Sequence, residues 1–161
     1  MKIIQSIVFV LLFNAFALAN HFVPAYLAHS DEPYQPHGIG ITSAILDDID
    51  LEVGDEIGIF DGDVCVGADT LTGLIFNSDP TSYLYIAASG QDPTWPDGTG
   101  YAENASILYR FWDASENLEI SAVVAGYQQG AEVFTPQGTS FVSLSGTSPA
   151  ETYGCTDVAA C

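Results

Sequence analysis

The sequence predicts an all-β fold, an antiparallel β-sandwich of about seven to nine short strands. Three observations lead there. Apolar residues recur in short runs, several alternating with a period of two. Gly, Pro, Asp and Asn bound those runs. No window carries a convincing amphipathic helical period. The length of 161 residues suits one domain, and 48% apolar with 12% aromatic residues is enough for a packed core despite a formal charge of −19.

Residues 1–19 read as a signal peptide. Met1-Lys2 is a short positive start, Ile3 to Phe16 is an apolar run broken only by Gln5, Ser6 and Asn14, and Ala17-Leu18-Ala19 is an A-x-A cleavage signature. The run is short for a membrane span and has no basic flank after it. Cleavage after Ala19 leaves 161 − 19 = 142 residues, with Arg110 as the remaining cation against 21 acids, a formal charge of 1 − 21 = −20. The expected location is secreted or cell-surface.

Residues 20–145 form the expected sandwich domain. Its strands read as Phe22–Leu27, Gly38–Leu46, Glu56–Phe60, Val64–Leu71, Tyr83–Ser89, Ser106–Trp112, Leu118–Ala125, Ala131–Phe134 and Ser140–Leu144. Alternation puts Ile39, Ile41 and Ile45 on one face of their strand, with Thr42 on the other. It groups Ile107, Tyr109 and Phe111, and likewise Ile120, Ala122 and Val124. Gly38-Ile39-Gly40 weakens the start of its strand and marks a candidate bulge. Asp61-Gly62 between two apolar runs predicts a type I′ hairpin, with positive φ at both central residues. Gly90 to Asn104 is a long irregular stretch, and a loop of that length in a compact domain is usually functional or packed on itself. Residues 146–161 read as a linker and a truncated Cys-rich tail, in which Cys155 and Cys161 are placed for a small disulfide in an oxidising compartment. Cys65 lies mid-strand and reads as a small buried hydrophobe.

Two stretches resemble known units. Leu51 to Ala68, LEVGDEIGIFDGDVCVGA, resembles the "GDEIGVFDGxxCVGA" signature of β-sandwich modules in large secreted proteins of Bacteroidota and related bacteria, many exported by type IX secretion. His21 to Tyr26, Pro33 to Pro36, Asp97-Gly98 with Tyr109 to Ala114, and Val133 to Thr139 fit other parts of such modules. Gly154 to Cys161 resembles the start of a "GCTDPxACN" Cys-rich unit, with Val158 in place of the usual proline. The resemblance implies an immunoglobulin-like or carbohydrate-binding-module-like sandwich, the first domain of a longer surface protein. It carries no catalytic residue set.

The charge balance excludes nucleic acid and anionic membrane as partners, because both need clustered Lys and Arg. The acids are uneven: nine carboxylates fall between Asp47 and Asp69. Ca²⁺ takes hard oxygen ligands from turns, so Asp47, Asp48, Asp50, Asp61 and Asp63 are the candidate calcium ligands. Asp92, Asp97 and Glu103 add acids in the long loop. The alternative is a solvated surface where Asp forms turns. Trp95 and Tyr101, in the long loop, are candidate stacking platforms for a sugar, and Tyr127 too falls in or near a loop. Trp112 reads as core or an inter-sheet plug, and Trp95 equally as a pin for its loop. His21, His29 and His37 match no familiar metal spacing and read as solvent-exposed in an extended N-terminal segment. No G-x-S-x-G elbow is present.

The leading expectation is a non-catalytic extracellular binding or adhesion module of a larger protein, carbohydrate-binding and calcium-stabilised, with polysaccharide or other surface proteins as partners. The alternative is a structural spacer or self-assembling surface subunit, which open uncharged sheet edges would favour. A small extracellular hydrolase ranks third.

Overall fold

A computed structural model describes residues 20–95 and 98–149. The predicted signal peptide, Pro96-Asp97 and the tail with Cys155 and Cys161 lie outside the described residues. Nine strands are present: β1 His37–Leu46, β2 Ile49–Asp50, β3 Glu56–Asp61, β4 Val64–Thr70, β5 Leu84–Ala88, β6 Leu108–Asp113, β7 Leu118–Ile120, β8 Val123–Gln129 and β9 Thr139–Gly146. They form two sheets, the all-β sandwich expected. In the first, β1 pairs with β9 and β9 with β8, while β5 and β2 share the other side of β1. The second runs β4-β3-β6-β7. Every pair is antiparallel except β1 with β9, which is parallel. First and last strands need no hairpin between them, so nothing forces them antiparallel.

The core lies between the inner faces. Ile39 and Ile41 of β1, Ile57 and Ile59 of β3, Phe111 of β6, and Val142 of β9 are each 0% exposed. Ile107, Tyr109 and Phe111 are buried together as their spacing predicts. The β1 pattern breaks, because a register shift between Ile41 and Ser43 makes a bulge at Thr42. Thr42 is buried, donating to the Val142 carbonyl, and Ala44 takes the core position instead of Ile45.

Three strand expectations fail for identifiable reasons. Phe22–Leu27 is not a strand: the chain passes Pro24 into a short 3₁₀ turn, Ala25–Ala28. Leu118–Ala125 is two strands. The chain leaves the second sheet after Ile120 and enters the first at Val123, which leaves Ala122 and Val124 exposed and turns Val123 and Ala125 toward the core. Ala131–Phe134 makes only a bridge, Val133 to Ser106.

The turn chemistry is exchanged between two hairpins. In the β3–β4 turn Gly62 alone has positive φ, at +59°, which is the type II′ pattern with Gly first rather than I′. Type I′ geometry appears instead at Asp47-Asp48, where φ is +50° and +68° between the paired Leu46 and Ile49. Asp tolerates the left-handed region better than most residues, which is why two acids occupy that turn.

Candidate functional site

The five candidate calcium ligands fall into two separate groups. Asp47, Asp48 and Asp50 belong to the β1–β2 hairpin. Asp47 and Asp50 line a surface hollow of about 300 Å³ together with Glu52, Asp55, Asp113 and Glu116. Three of its carboxylates are committed to the backbone. Asp55 accepts from the Glu52 and Ala114 amides, Asp113 from Ser115 and Glu116, and Asp47 from Ser148. Asp61 and Asp63 sit at the far end of β3, roughly 20 Å from Asp55 at about 3.4 Å per residue. Among the described residues no three His, Cys, Asp or Glu side chains are arranged to hold a metal ion.

Asp63 belongs to another network. The Arg110 guanidinium donates to Asp63 at 2.8 Å, to the Gly62 carbonyl at 3.0 Å and to Glu119 at 3.0 Å, and lies 4.2 Å over the Phe60 ring. Glu119 also meets His21 Nε2 at 3.0 Å. The hydrogen bond with His21, seconded by Arg110, holds the Glu119 carboxyl below the usual glutamate range. The His21 ring stacks on Trp112, 3.7 Å between centroids and 6° from parallel. Glu56, 5% exposed, accepts from the His21 and Phe22 amides at 2.8 and 2.9 Å. So His21-Phe22 is a strap clamped over the outer face of the second sheet. Trp112 lies on that face under His21 rather than in the core.

The two candidate sugar platforms differ. Trp95 is 47% exposed, with one ring face covered by His29 at 4.6 Å and 13°. It pins the long loop to the N-terminal segment and stays partly exposed. Tyr101 is 1% exposed and stacks on Phe134, so it is a core residue and no platform. Its hydroxyl donates to the Phe60 carbonyl and accepts from the Leu108 amide, and burial raises its pKa. Tyr127 is half-buried, its hydroxyl 3.2 Å from that of Tyr109.

His37 is fully buried rather than solvent-exposed. The Thr135 amide can only donate, so His37 Nδ1 accepts and the neutral ring carries its proton on Nε2. Nε2 then donates to Ser140 Oγ at 3.0 Å, and Ser140 donates on to the Ala131 carbonyl at 2.6 Å. A nucleophile–base pair has the opposite polarity, with the hydroxyl donating to the imidazole. This pair is therefore a structural relay, and burial lowers the His37 pKa. The Cys65 thiol is part-buried and pushed up to about 11, chiefly by burial, which disfavours the thiolate.

The feature that sequence reading missed is the outer face of the first sheet. Paired positions on neighbouring strands share a face. One row runs Tyr85, Gly40, Phe141; the next Ser43, Ser143, Gly126; the next Ile45, Ser145, Val124. No residue in these rows is charged; Asp50, paired with Ile45, stands at their corner. Tyr83, Tyr85 and Phe141 pack against one another at 6.2–6.5 Å between centroids, and Tyr85 is 56% exposed. Gly40 makes the cluster possible: a Cβ there would meet the Phe141 ring at 2.7 Å. The signal was present as Tyr-x-Tyr at 83 and 85 with glycine at 40, but only the register shows that they meet.

No protein family, curated protein or solved structure matches this chain.

Proposed function

We propose that the protein is a non-catalytic extracellular binding module that holds a neutral polysaccharide on the outer face of its first sheet. One observation carries the reading. A chain with 21 acids and 2 bases keeps the rows of that face free of charge and sets an exposed tyrosine at the end of one of them. Sugar rings present C–H faces that stack on aromatic rings and hydroxyls that bond to Ser and Thr. An anionic polymer would meet the long-range repulsion of the remaining surface, whereas a neutral one does not. Tyr85 is the exposed ring of the cluster, at 56%, so the ligand stacks on Tyr85. The signal-peptide pattern and the resemblance of Leu51–Ala68 to secreted sandwich modules agree with an extracellular role.

The test is retention on insoluble neutral polysaccharides, with wild type, Tyr85→Ala and Trp95→Ala side by side. Loss of one stacking contact lowers affinity by about tenfold, so Tyr85→Ala should elute early while Trp95→Ala is retained. Equal retention of wild type and Tyr85→Ala would refute this placement of the site.

A further inference from the structure

Between Asp69 and Asp92 the chain carries a single acid, Asp79, although it holds 21 acids in all. Most of that stretch is the connection from β4 to β5, and it closes around a hollow of about 380 Å³. Leu74, Phe76, Asp79 and Tyr83 are among the walls. The volume falls within the range of small-ligand sites, about 300–1,000 Å³. Two neighbouring apolar residues of the loop divide their work. Ile75 is 8% exposed and belongs to the core, whereas Phe76 is 52% exposed. The backbone holds Phe76 in that position. Its amide donates to Ser82 Oγ at 2.8 Å, and its carbonyl accepts from the Asp79 amide at 2.9 Å. Tyr83 joins the hollow to the aromatic cluster of the first sheet. Its hydroxyl donates to the Asn77 carbonyl at 2.8 Å, while its ring packs against Tyr85 and Phe141.

We infer that this hollow is a second sugar subsite, continuous with Tyr85, in which Phe76 stacks on one ring of a neutral polysaccharide and Asp79 accepts from its hydroxyls. The inference rests on the polysaccharide reading and extends it: the site takes a run of sugar rings, not a single one. Chemistry selects the occupant. A sugar offers a C–H face to an aromatic ring and hydroxyl donors to a fixed acceptor. Asp79 is that acceptor. Its Oδ1 accepts from the Thr81 hydroxyl at 2.7 Å and from the Thr81 amide at 3.0 Å. A carboxylate has about four lone-pair sites, and Thr81 takes two of them. Those two bonds, the hydroxyl's first, hold the Asp79 carboxyl below the usual aspartate range, so it stays an acceptor at neutral pH. The loop is pinned before any ligand arrives, and a preorganised site loses little entropy on binding. A cationic partner is not selected here, because a lone acid attracts it less than the acid-rich hollow beside the β1–β2 hairpin does.

Depletion binding to cellulose, chitin, starch and mannan tests this, with Tyr85→Ala, Phe76→Ala and Asp79→Asn compared on the polymer that retains the wild type. Phe76→Ala and Asp79→Asn should each weaken binding by about fivefold. Phe76 and Asp79 are both exposed, and in Asp79→Asn the side-chain oxygen can still accept from Thr81, so unchanged melting curves check that the loop is kept. Soluble oligomers of the same polymer serve as competitors. Their potency per mole should climb from the monosaccharide to a length that bridges both rings, then level off. Weakened binding in Tyr85→Ala with wild-type binding in both Phe76→Ala and Asp79→Asn overturns this subsite and leaves the Tyr85 reading standing. A monosaccharide that competes as well as the longest oligomer overturns the subsite too. A wild type that binds none of these polymers overturns both.

Discussion

Replacing Tyr101 by Phe removes one oxygen atom from the core and nothing else. That oxygen is spliced into the β3–β6 ladder: at the paired residues Phe60 and Leu108 it accepts from the Leu108 amide and donates to the Phe60 carbonyl. The two stranded partners are not equivalent. Phe60 is 4% exposed, so water does not readily replace the hydroxyl at its carbonyl, a cost of about 1–3 kcal/mol. Leu108 is 46% exposed and its amide can be rehydrated for about 0.5 kcal/mol. The sum is about 1.5–3.5 kcal/mol. At about 4 °C per kcal/mol for a domain of this size, Tm should fall by about 6–14 °C. Thermal melting by circular dichroism measures it, with urea unfolding as a check that the m-value is unchanged. Retention on polysaccharide should not change, because the residue touches no surface. A fall under about 2 °C would mean that the ladder closes directly without the hydroxyl, and the reasoning would be wrong.

Two further outcomes follow from the buried polar groups. His37 is held neutral, its folded pKa below the ordinary 6.5, so the unfolded chain takes the proton first. Its contribution is therefore complete above about pH 6.5 and is lost as pH falls toward the folded value, with a slope of at most about 1.4 kcal/mol per pH unit. Unfolding curves from pH 7 to pH 5 should show this decline in wild type and a flatter profile in His37→Gln; identical profiles would exclude His37 as the cause. Glu56→Ala should release the strap, because the His21 and Phe22 amides lose their acceptor, at a cost of about 3 kcal/mol. Hydrogen exchange should then show those two amides unprotected while β3 keeps its protection; undiminished protection at both would mean that stacking on Trp112 holds the strap alone.

The fold was legible where one face of a strand meets the core and the other meets water, as in Tyr109 and Phe111 against Arg110. It was illegible where a local device resets the count. A bulge at Thr42 moved Ala44 into the place expected for Ile45, and bulges leave no fixed residue signature. The passage from β7 to β8 continues the apolar run while changing sheets, so Leu118–Ala125 looks like one strand. The site was harder still. Tyr101 lies in a loop and is buried, whereas Tyr85 lies in a strand and is exposed. Loop position does not imply exposure, because a long loop packed on itself buries its aromatics. What lets Tyr85 join the ring cluster is a partner 45 residues earlier in the chain: without a side chain at Gly40, the sheet offers a shallow floor on which the rings gather.

The parallel pairing of β1 with β9 also has a mechanical meaning. Eight register pairs, from Gly38 with Thr139 to Leu46 with Gly146, run in the same direction. The chain enters this pair at one end of the sandwich and leaves it at the other. A pull between the two ends of the domain would therefore slide the strands along each other and load the whole ladder at once, whereas a hairpin geometry would peel one hydrogen bond at a time. Such a force is carried along that ladder, in the direction in which a sheet resists rupture best.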